Sequence, residues 1–241
     1  MPYYSYYYGF DWTYLVLVLP CLILSLWASS SVKSTFRRYS TQYSTRGITG
    51  ADAAQRVLRI SGVHNVRIER VAGDLTDHFD PKTNVIRLSD SVYSSTSTAA
   101  IGVACHEAGH AVQYATHYAP IKLRAAIIPI TNFGSKLAMP LILLGIVFSF
   151  LGNFSYTLVY LGIACFSLSL VFQLITLPVE FNASRRAIRA IEDASILSSH
   201  ELLGARKTLK AAAMTYVAAT AVALAQLLRL IVLFGGRRRR D

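Results

Sequence analysis

Long apolar runs separate the polar segments of this chain and dominate its pattern. The runs cover residues 12–28, the region 121–152 from about residue 137 onward, 156–177 and 211–234. A helix needs about 20 mainly apolar residues to cross the hydrocarbon core of a bilayer. The pattern therefore predicts a mainly α integral membrane protein with three to four transmembrane helices.

Between the first two runs, a polar segment carries the signals of a small α+β part. Thr49 and Asp52 form a helix-start pair of the capping-box type, which predicts a helix over residues 51–60. Alternating apolar and polar residues predict a strand over 66–71, and a second short strand follows at 84–88. This second strand is either an exposed edge, which could pair with a substrate backbone, or a buried strand.

The loop at residues 72–82 contains His78 and three aspartates, Asp74, Asp77 and Asp80. These residue types can bind a metal, but Asp and Pro are also the usual residues of tight turns. We interpret the loop as turn chemistry, with a second metal site as the alternative.

The two ends of the first apolar run differ in charge, which predicts its orientation. Residues 1–11 are rich in tyrosine and lack Lys and Arg, as is typical of an aromatic collar at a membrane interface. A secretory signal peptide begins with positive charge, so segment 1–30 is interpreted as an uncleaved anchor. Lys33, Arg37 and Arg38 follow it, which predicts an outside N-terminus and a cytosolic continuation.

The last apolar run, residues 211–234, conflicts with the same charge rule. If this run starts inside and crosses the membrane, the four arginines at 237–240 lie outside. The run therefore either spans the bilayer against the rule or packs as a re-entrant or interfacial helix.

Composition agrees with a membrane protein and argues against other classes. Only 15% of the 241 residues are charged, whereas a soluble domain usually carries about 25%. The net charge is +11, but Lys and Arg gather beside the apolar runs, as expected of juxtamembrane segments. No basic stripe is interleaved with aromatic residues, so we expect no nucleic-acid partner. The three cysteines do not suggest a disulfide framework, which suits reduced thiols.

The strongest chemical signal is HEAGH at residues 106–110, an H-E-x-x-H pattern inside a predicted helix that starts near Thr98. Residues four apart lie on one face of a helix, so His106 and His110 can bind one Zn²⁺ ion. Glu107 sits on the adjoining face, where it can take a proton from the attacking water as general base. With this content of His and Glu, the pattern is expected by chance roughly 0.003 times per chain.

The topology of the second and third apolar runs suggests a third ligand. The turn between them is short and uncharged, so the two runs form an antiparallel transmembrane hairpin. The segments before and after a hairpin lie on the same side of the bilayer, so a carboxylate that follows the third run can reach the histidines. Glu180 is the best-placed glutamate, and the alternative is an interfacial ion pair with Arg185 or Arg186.

Other residues near the motif do not extend the site. His117 shares the face of His110, but two helical turns separate them by about 10.5 Å, which is too far for one ion. The longer H-E-x-x-H-x-x-G-x-x-H pattern also fails, because Gln113 and Thr116 occupy its Gly and third His positions.

The segments VACHEAGHAVQ, LPVEFNASRRA, LTDHFDP and VIRLS, with a hairpin between the first two, resemble the YugP-type family of neutral zinc metallopeptidases of bacterial membranes. The resemblance covers nearly the whole chain and implies a membrane-anchored zincin whose third ligand is Glu. It implies His106, His110 and Glu180 as ligands of one zinc ion and Glu107 as the catalytic base. The segment around Glu180 is also similar to the E-F-x-A-D segment of membrane zincins related to the heat-shock protease HtpX. Ser184 stands where those enzymes have a supporting Asp, so no supporting carboxylate is assigned.

Together these observations predict a membrane-bound zinc endopeptidase that hydrolyses peptide bonds of membrane or membrane-proximal proteins at the cytosolic face of the cell membrane. Its fold would combine the transmembrane helices with a small α+β zincin-like metallopeptidase domain. Its partners would be the lipid bilayer and a protein or peptide substrate, and Tyr216, Arg185 and Arg206 are suggestions for the group that stabilises the oxyanion. Five segments are predicted: the anchor 1–30, the cytosolic α+β part 31–120, the hairpin 121–178, the ligand helix 179–210, and the C-terminal apolar helix with its arginine tail 211–241.

Two other functions compete with this reading. A zinc-holding scaffold or adaptor that regulates another membrane protease would keep the ligands but need not use Glu107. A metal transporter would need polar ligands at mid-membrane, whereas the predicted ligands lie outside the apolar runs.

Overall fold

The computed structural model describes residues 11–235. The predicted aromatic collar at 1–11 lies almost entirely outside the described residues, and the arginine tail at 237–240 lies wholly outside them.

Helices make up most of the described chain. A π-helical turn, Tyr14–Val18, leads into the first helix, and a 3-10 turn, Ser149–Leu151, precedes the sixth. The helices are α1 (Leu19–Tyr39), α2 (Gly50–Ile60), α3 (Asp90–Tyr93), α4 (Thr98–Ala115), α5 (Ala119–Val147), α6 (Asn153–Asp193) and α7 (Ser199–Gly235). The strands are β1 (Arg67–Val71), β2 (His78–Asp80) and β3 (Val85–Ser89).

Within residues 11–235, four helical segments are long and apolar enough to cross a membrane: Tyr14–Tyr39, Ala119–Val147, Asn153–Asp193 and Ser199–Gly235. The predicted class, a mainly α integral membrane protein with a small α+β part, is confirmed. The last of these segments, α7, is one continuous helix with no break of the kind that a re-entrant segment needs.

The described residues divide into two units. The apolar unit is drawn from Met1–Trp27, Ile127–Leu174 and Val217–Asp241, and the site unit comprises Ala28–Ala126 and Ile175–Tyr216. The H-E-x-x-H helix and the predicted third ligand both belong to the site unit.

The sheet of the site unit has the order β1-β3-β2, with β3 in the middle. β1 pairs with β3 in parallel, with Ile68 opposite Ile86, and β2 pairs antiparallel, with Phe79 opposite the same residue. Ile86 is fully buried. The exposed-edge alternative for residues 84–88 is therefore wrong, because both edges of this strand are already hydrogen-bonded to neighbours.

Small residues on α4 let its neighbours in the site unit approach closely. A Cβ atom at Gly109 would come within 2.7 Å of the Ala183 carbonyl oxygen on α6. On another side α4 packs against α2, which begins at the predicted capping box, where Thr49 Oγ1 accepts a hydrogen bond from the Asp52 amide. The close approach of α6 to α4 brings the residues that follow the hairpin next to the motif.

In the apolar unit, α5 and α6 also pack closely, since a Cβ atom at Gly162 would come within 2.9 Å of the Ala138 carbonyl oxygen. A charged pair joins the start of the described chain to the last helix. Arg229 on α7 donates hydrogen bonds to Asp11 Oδ2, with a distance of 3.0 Å from its Nε. The guanidinium also lies 5.3 Å from the centre of the Tyr14 ring, so its charge is compensated.

All four predicted segment boundaries fall inside continuous helices. The bound at 30/31 lies within α1 and the bound at 120/121 within α5, while 178/179 lies within α6 and 210/211 within α7. Pro178 lacks an amide hydrogen and removes one helical hydrogen bond, but α6 continues through it. The interruption predicted near residue 198 lies at residues 194–198, between α6 and α7. The five-segment division therefore remains a prediction.

Candidate metal centre

Helix α4 carries the two motif histidines on one face. Its start is capped by Ser97, whose side chain accepts a hydrogen bond from the Ala100 amide at 3.2 Å. The rings of His106 and His110 stand edge to face, with centroids 4.7 Å apart. The four-residue spacing thus brings the two imidazoles together on successive turns.

Glu180 on α6 completes the cluster. One ligand atom from each of His106, His110 and Glu180 lies within 4.8 Å of the others. Glu180 Oε2 is 3.3 Å from His106 Nε2 and 3.5 Å from His110 Nε2. These are ion-pair distances without hydrogen-bond geometry, and within residues 11–235 this buried oxygen has no hydrogen-bond partner.

The other oxygen of Glu180 has a strong partner. Arg124 on α5 donates a hydrogen bond from Nη1 to Oε1 at 2.9 Å. The sequence alternative, an ion pair with Arg185 or Arg186, is not what the structure shows, because the cation comes from the helix before the hairpin. Arg124 leaves Oε2 as the oxygen that faces the histidines.

The donor set fits a zinc ion. Two imidazole nitrogens and one carboxylate oxygen are usual zinc ligands in sites that keep a position open for catalysis. A buried carboxylate oxygen without a hydrogen-bond partner is costly unless a cation neutralises it. Burial by itself would lower the pKa of His110, but the carboxylates of Glu180 and Glu107 raise it above its usual value. The electrostatics at this point therefore favour a positive charge.

Glu107 lies beside this cluster in a cavity of about 180 Å³. Glu107 is 9% exposed. The cavity is also lined by His106, Glu180, Tyr216 and Asp77. Of the three suggested oxyanion groups, only Tyr216 lines this cavity; Arg185 is exposed and Arg206 pairs with Glu192.

Within the predicted loop at residues 72–82, Asp80 makes the local hydrogen bonds of a turn residue, whereas Asp77 bonds the end of β3. Asp77 accepts hydrogen bonds from the Ser89 amide at 2.8 Å and from the Ser89 hydroxyl. Asp80 accepts one from the Lys82 amide, and His78 contacts a backbone oxygen. Of His78, Asp74, Asp77 and Asp80, only Asp77 lines the cavity. Its burial and the charge of Glu107 raise the pKa of the Asp77 carboxyl.

Each motif histidine is supported through Nδ1 by an uncharged side chain. His106 Nδ1 is 3.2 Å from Ser184 Oγ. His110 Nδ1 is 3.0 Å from Gln113 Oε1. From the sequence, Ser184 and Gln113 stand out only because they differ from the residues of longer zinc-protease patterns. The spacing of His110 and Gln113 could have indicated their contact, because residues three apart are neighbours on a helix surface. For Arg124 the sequence carried no signal beyond its charge.

The chain is similar to known proteins along most of its length. The family described as "Putative neutral zinc metallopeptidase" matches residues 14–235. The curated protein "Putative membrane protease YugP" of Bacillus subtilis (strain 168) is 47% identical over 221 residues, which cover 92% of this chain and 96% of the relative. The comparison with solved structures found no match.

Proposed function

Because this chain belongs to the family described as "Putative neutral zinc metallopeptidase", we propose that it is a zinc-dependent endopeptidase of the cell membrane. In this proposal it hydrolyses peptide bonds of membrane or membrane-proximal proteins at the cytosolic face. His106, His110 and Glu180 hold one zinc ion, and Glu107 is the general base.

The observation that carries the proposal is the unpartnered Oε2 of Glu180. This oxygen is buried, faces Nε2 of both histidines and has no hydrogen-bond partner within residues 11–235. A purely structural glutamate would use both oxygens in hydrogen bonds, as Glu201 does with the amides of Thr45 and Ser198. The unused oxygen is the property expected of a metal ligand.

The chain's own residues divide the work around that ion. Zinc, when bound, acts as a Lewis acid that polarises the peptide carbonyl and lowers the pKa of water. Glu107 takes a proton from the attacking water and passes it to the leaving amine. Tyr216, which also lines the cavity, is the candidate that we propose as hydrogen-bond donor to the developing oxyanion.

Charge supports the cytosolic side for the site unit. Lys33, Arg37 and Arg38 are exposed near the end of α1, and Arg185 and Arg189 are exposed on α6 beyond Pro178. Basic residues that flank transmembrane segments favour the cytosol.

The experiment replaces Glu107 by Gln in the full-length protein, purified in detergent, with Glu192→Gln as the matched control at an exposed glutamate. We expect Glu107→Gln to keep its zinc and to cleave a fluorogenic peptide library about 10²–10⁴-fold more slowly. The control should behave as wild type. Zinc content would be measured by atomic emission.

Two results would count against this function. If Glu107→Gln retained both zinc and cleavage, Glu107 would not be the base. If wild type held zinc but neither protein cleaved any peptide, the zinc-holding scaffold that regulates another protease would be favoured.

A further inference from the structure

A chain of amide groups runs from α6 to His110. Gln113, which is fully buried, donates from Nε2 to the Val179 carbonyl oxygen at 2.8 Å and to Asn182 Oδ1 at 3.0 Å. Asn182 Oδ1 also accepts a hydrogen bond from Arg186 Nε at 2.8 Å. The other end of the Gln113 amide, Oε1, faces His110 Nδ1 at 3.0 Å.

The direction of every hydrogen bond in this chain is determined by its two fixed members. Arg186 can only donate, so the oxygen of Asn182 must face it. The Val179 carbonyl can only accept, so the nitrogen of Gln113 must face both Val179 and Asn182. The oxygen of Gln113 is then left for His110, whose Nδ1 must carry the hydrogen. In the neutral imidazole, which is the form that binds a metal, Nε2 of His110 then presents its lone pair toward Glu180.

We propose that Gln113 and Asn182 are positioning residues that set the tautomer and ring orientation of His110 for zinc. This inference rests on the proposed zinc site. It assigns to His110 an uncharged supporting group, the side-chain amide of Gln113. Many zinc sites orient a histidine with a carboxylate or a backbone carbonyl through its second nitrogen. Here a buried amide does this, and it also ties α4 to the turn of α6 that carries Glu180.

The support of His106 differs in kind. A hydroxyl can donate or accept, so Ser184 Oγ at 3.2 Å does not determine which nitrogen of His106 carries hydrogen. Ser184 also lies only partly buried, whereas Gln113 is fully enclosed. The hydrogen bonds that support His110 therefore have only one allowed direction, whereas the hydrogen bond to His106 can run either way.

The test measures zinc affinity of the full-length protein in detergent by competition with a chromophoric chelator. Gln113→Leu removes the amide at similar size, and Gln55→Leu, at an exposed glutamine of α2, is the matched control. We expect Gln113→Leu to weaken zinc binding about 10–100-fold, in the range known for supporting residues, and Gln55→Leu to leave it unchanged.

A second pair of variants separates the direction of the hydrogen bonds from packing. Asn182→Asp keeps an oxygen that accepts from Gln113 and Arg186, so zinc affinity should stay near wild type. Asn182→Leu removes that oxygen and should weaken binding. In zinc-loaded wild type with ¹⁵N-labelled histidine, NMR should show the hydrogen of His110 on Nδ1.

The outcomes distinguish this inference from the proposed function. If wild type binds no zinc, both fail together. If wild type binds zinc but Gln113→Leu binds it equally tightly, or if His110 carries its hydrogen on Nε2, the positioning role alone is overturned.

Discussion

The apolar unit and the site unit each hold a carboxylate that pairs with an arginine, but the two carboxylates differ in how completely their oxygens are paired. In the apolar unit, Arg229 on α7 meets the carboxylate of Asp11 and the face of Tyr14. In the site unit, Glu180 is 2% exposed, and Arg124 occupies only one of its two oxygens. The first arrangement pairs its charges within the described chain, whereas the second leaves Glu180 Oε2 without a hydrogen-bond partner there, as the proposed zinc site requires.

This difference is the one expected between a charge that stabilises the fold and a charge that binds a metal ion. A charge inside a membrane segment is costly and is retained when a partner compensates it. Arg229, on the candidate span α7, meets that requirement through its pair with Asp11. Glu180 does not, although Arg124, His106 and His110 all lie within reach of its oxygens. The incomplete pairing of Glu180 is the feature on which the proposed zinc site in the site unit rests.

Removing Glu180 should have the largest effect on the proposed metal site. Glu180→Ala takes away a ligand rather than a supporting group, so we expect zinc affinity to fall more than about 100-fold, beyond the range for supporting residues. The protein should remain in the membrane fraction, because alanine adds no polar group to α6 and residue 180 lies beyond its apolar run at 156–177. Zinc content would be compared with that of Glu192→Ala, an exposed glutamate on the same helix. Full zinc occupancy in Glu180→Ala would move the third ligand to another carboxylate or to His78.

Removing Arg124 should have an intermediate effect. Arg124→Met keeps the length of the side chain but leaves Oε1 of Glu180 without its donor, so the carboxylate loses its fixed orientation. We expect zinc affinity to fall about tenfold, measured by chelator competition, with Lys122→Met as the exposed control on the same helix. Unchanged or tighter binding would mean that Glu180 needs no help from this arginine.

Breaking the pair in the apolar unit should leave zinc binding unchanged. Asp11→Asn deprives Arg229 of its counter-charge, and a loss of roughly 1 kcal/mol would lower the thermal unfolding temperature by about 2–4 °C for a chain of this size. The charge-swapped double variant, Asp11→Arg with Arg229→Asp, should recover part of that loss. A fall in zinc affinity in Asp11→Asn would show that the pair of Asp11 and Arg229 contributes to zinc binding and is not purely structural.

Much of the fold could be predicted because its signals are local. Apolar runs, the capping pair Thr49 and Asp52, and the strand pattern at 66–71 each depend on neighbours in the chain. Strand order is not local, so the sequence left open whether residues 84–88 form an edge. The structure places this strand in the middle of the sheet, with β1 and β2 on either side.

The residues of the candidate site also differ in whether local sequence signals could predict them. His106, Glu107 and His110 follow from helical spacing alone. Glu180 required a topological inference across the hairpin, and that inference places it correctly beside the histidines because α6 runs unbroken past Pro178. Arg124 and the direction of the Gln113 amide depend on three-dimensional contacts between helices, which no spacing rule supplies.

The sequence by itself determined the membrane class, the motif and its helix, because hydrophobic length and helical periodicity act within one segment. Only the tertiary structure decided which oxygen of Glu180 stays without a hydrogen-bond partner and which groups face Nδ1 of His110. Both depend on donors and acceptors that arrive from other helices, Arg124 from α5 and the Val179 carbonyl and Asn182 from α6. Hydrogen bonds are directional over about 3 Å, so their pattern exists only once α4, α5 and α6 have packed together.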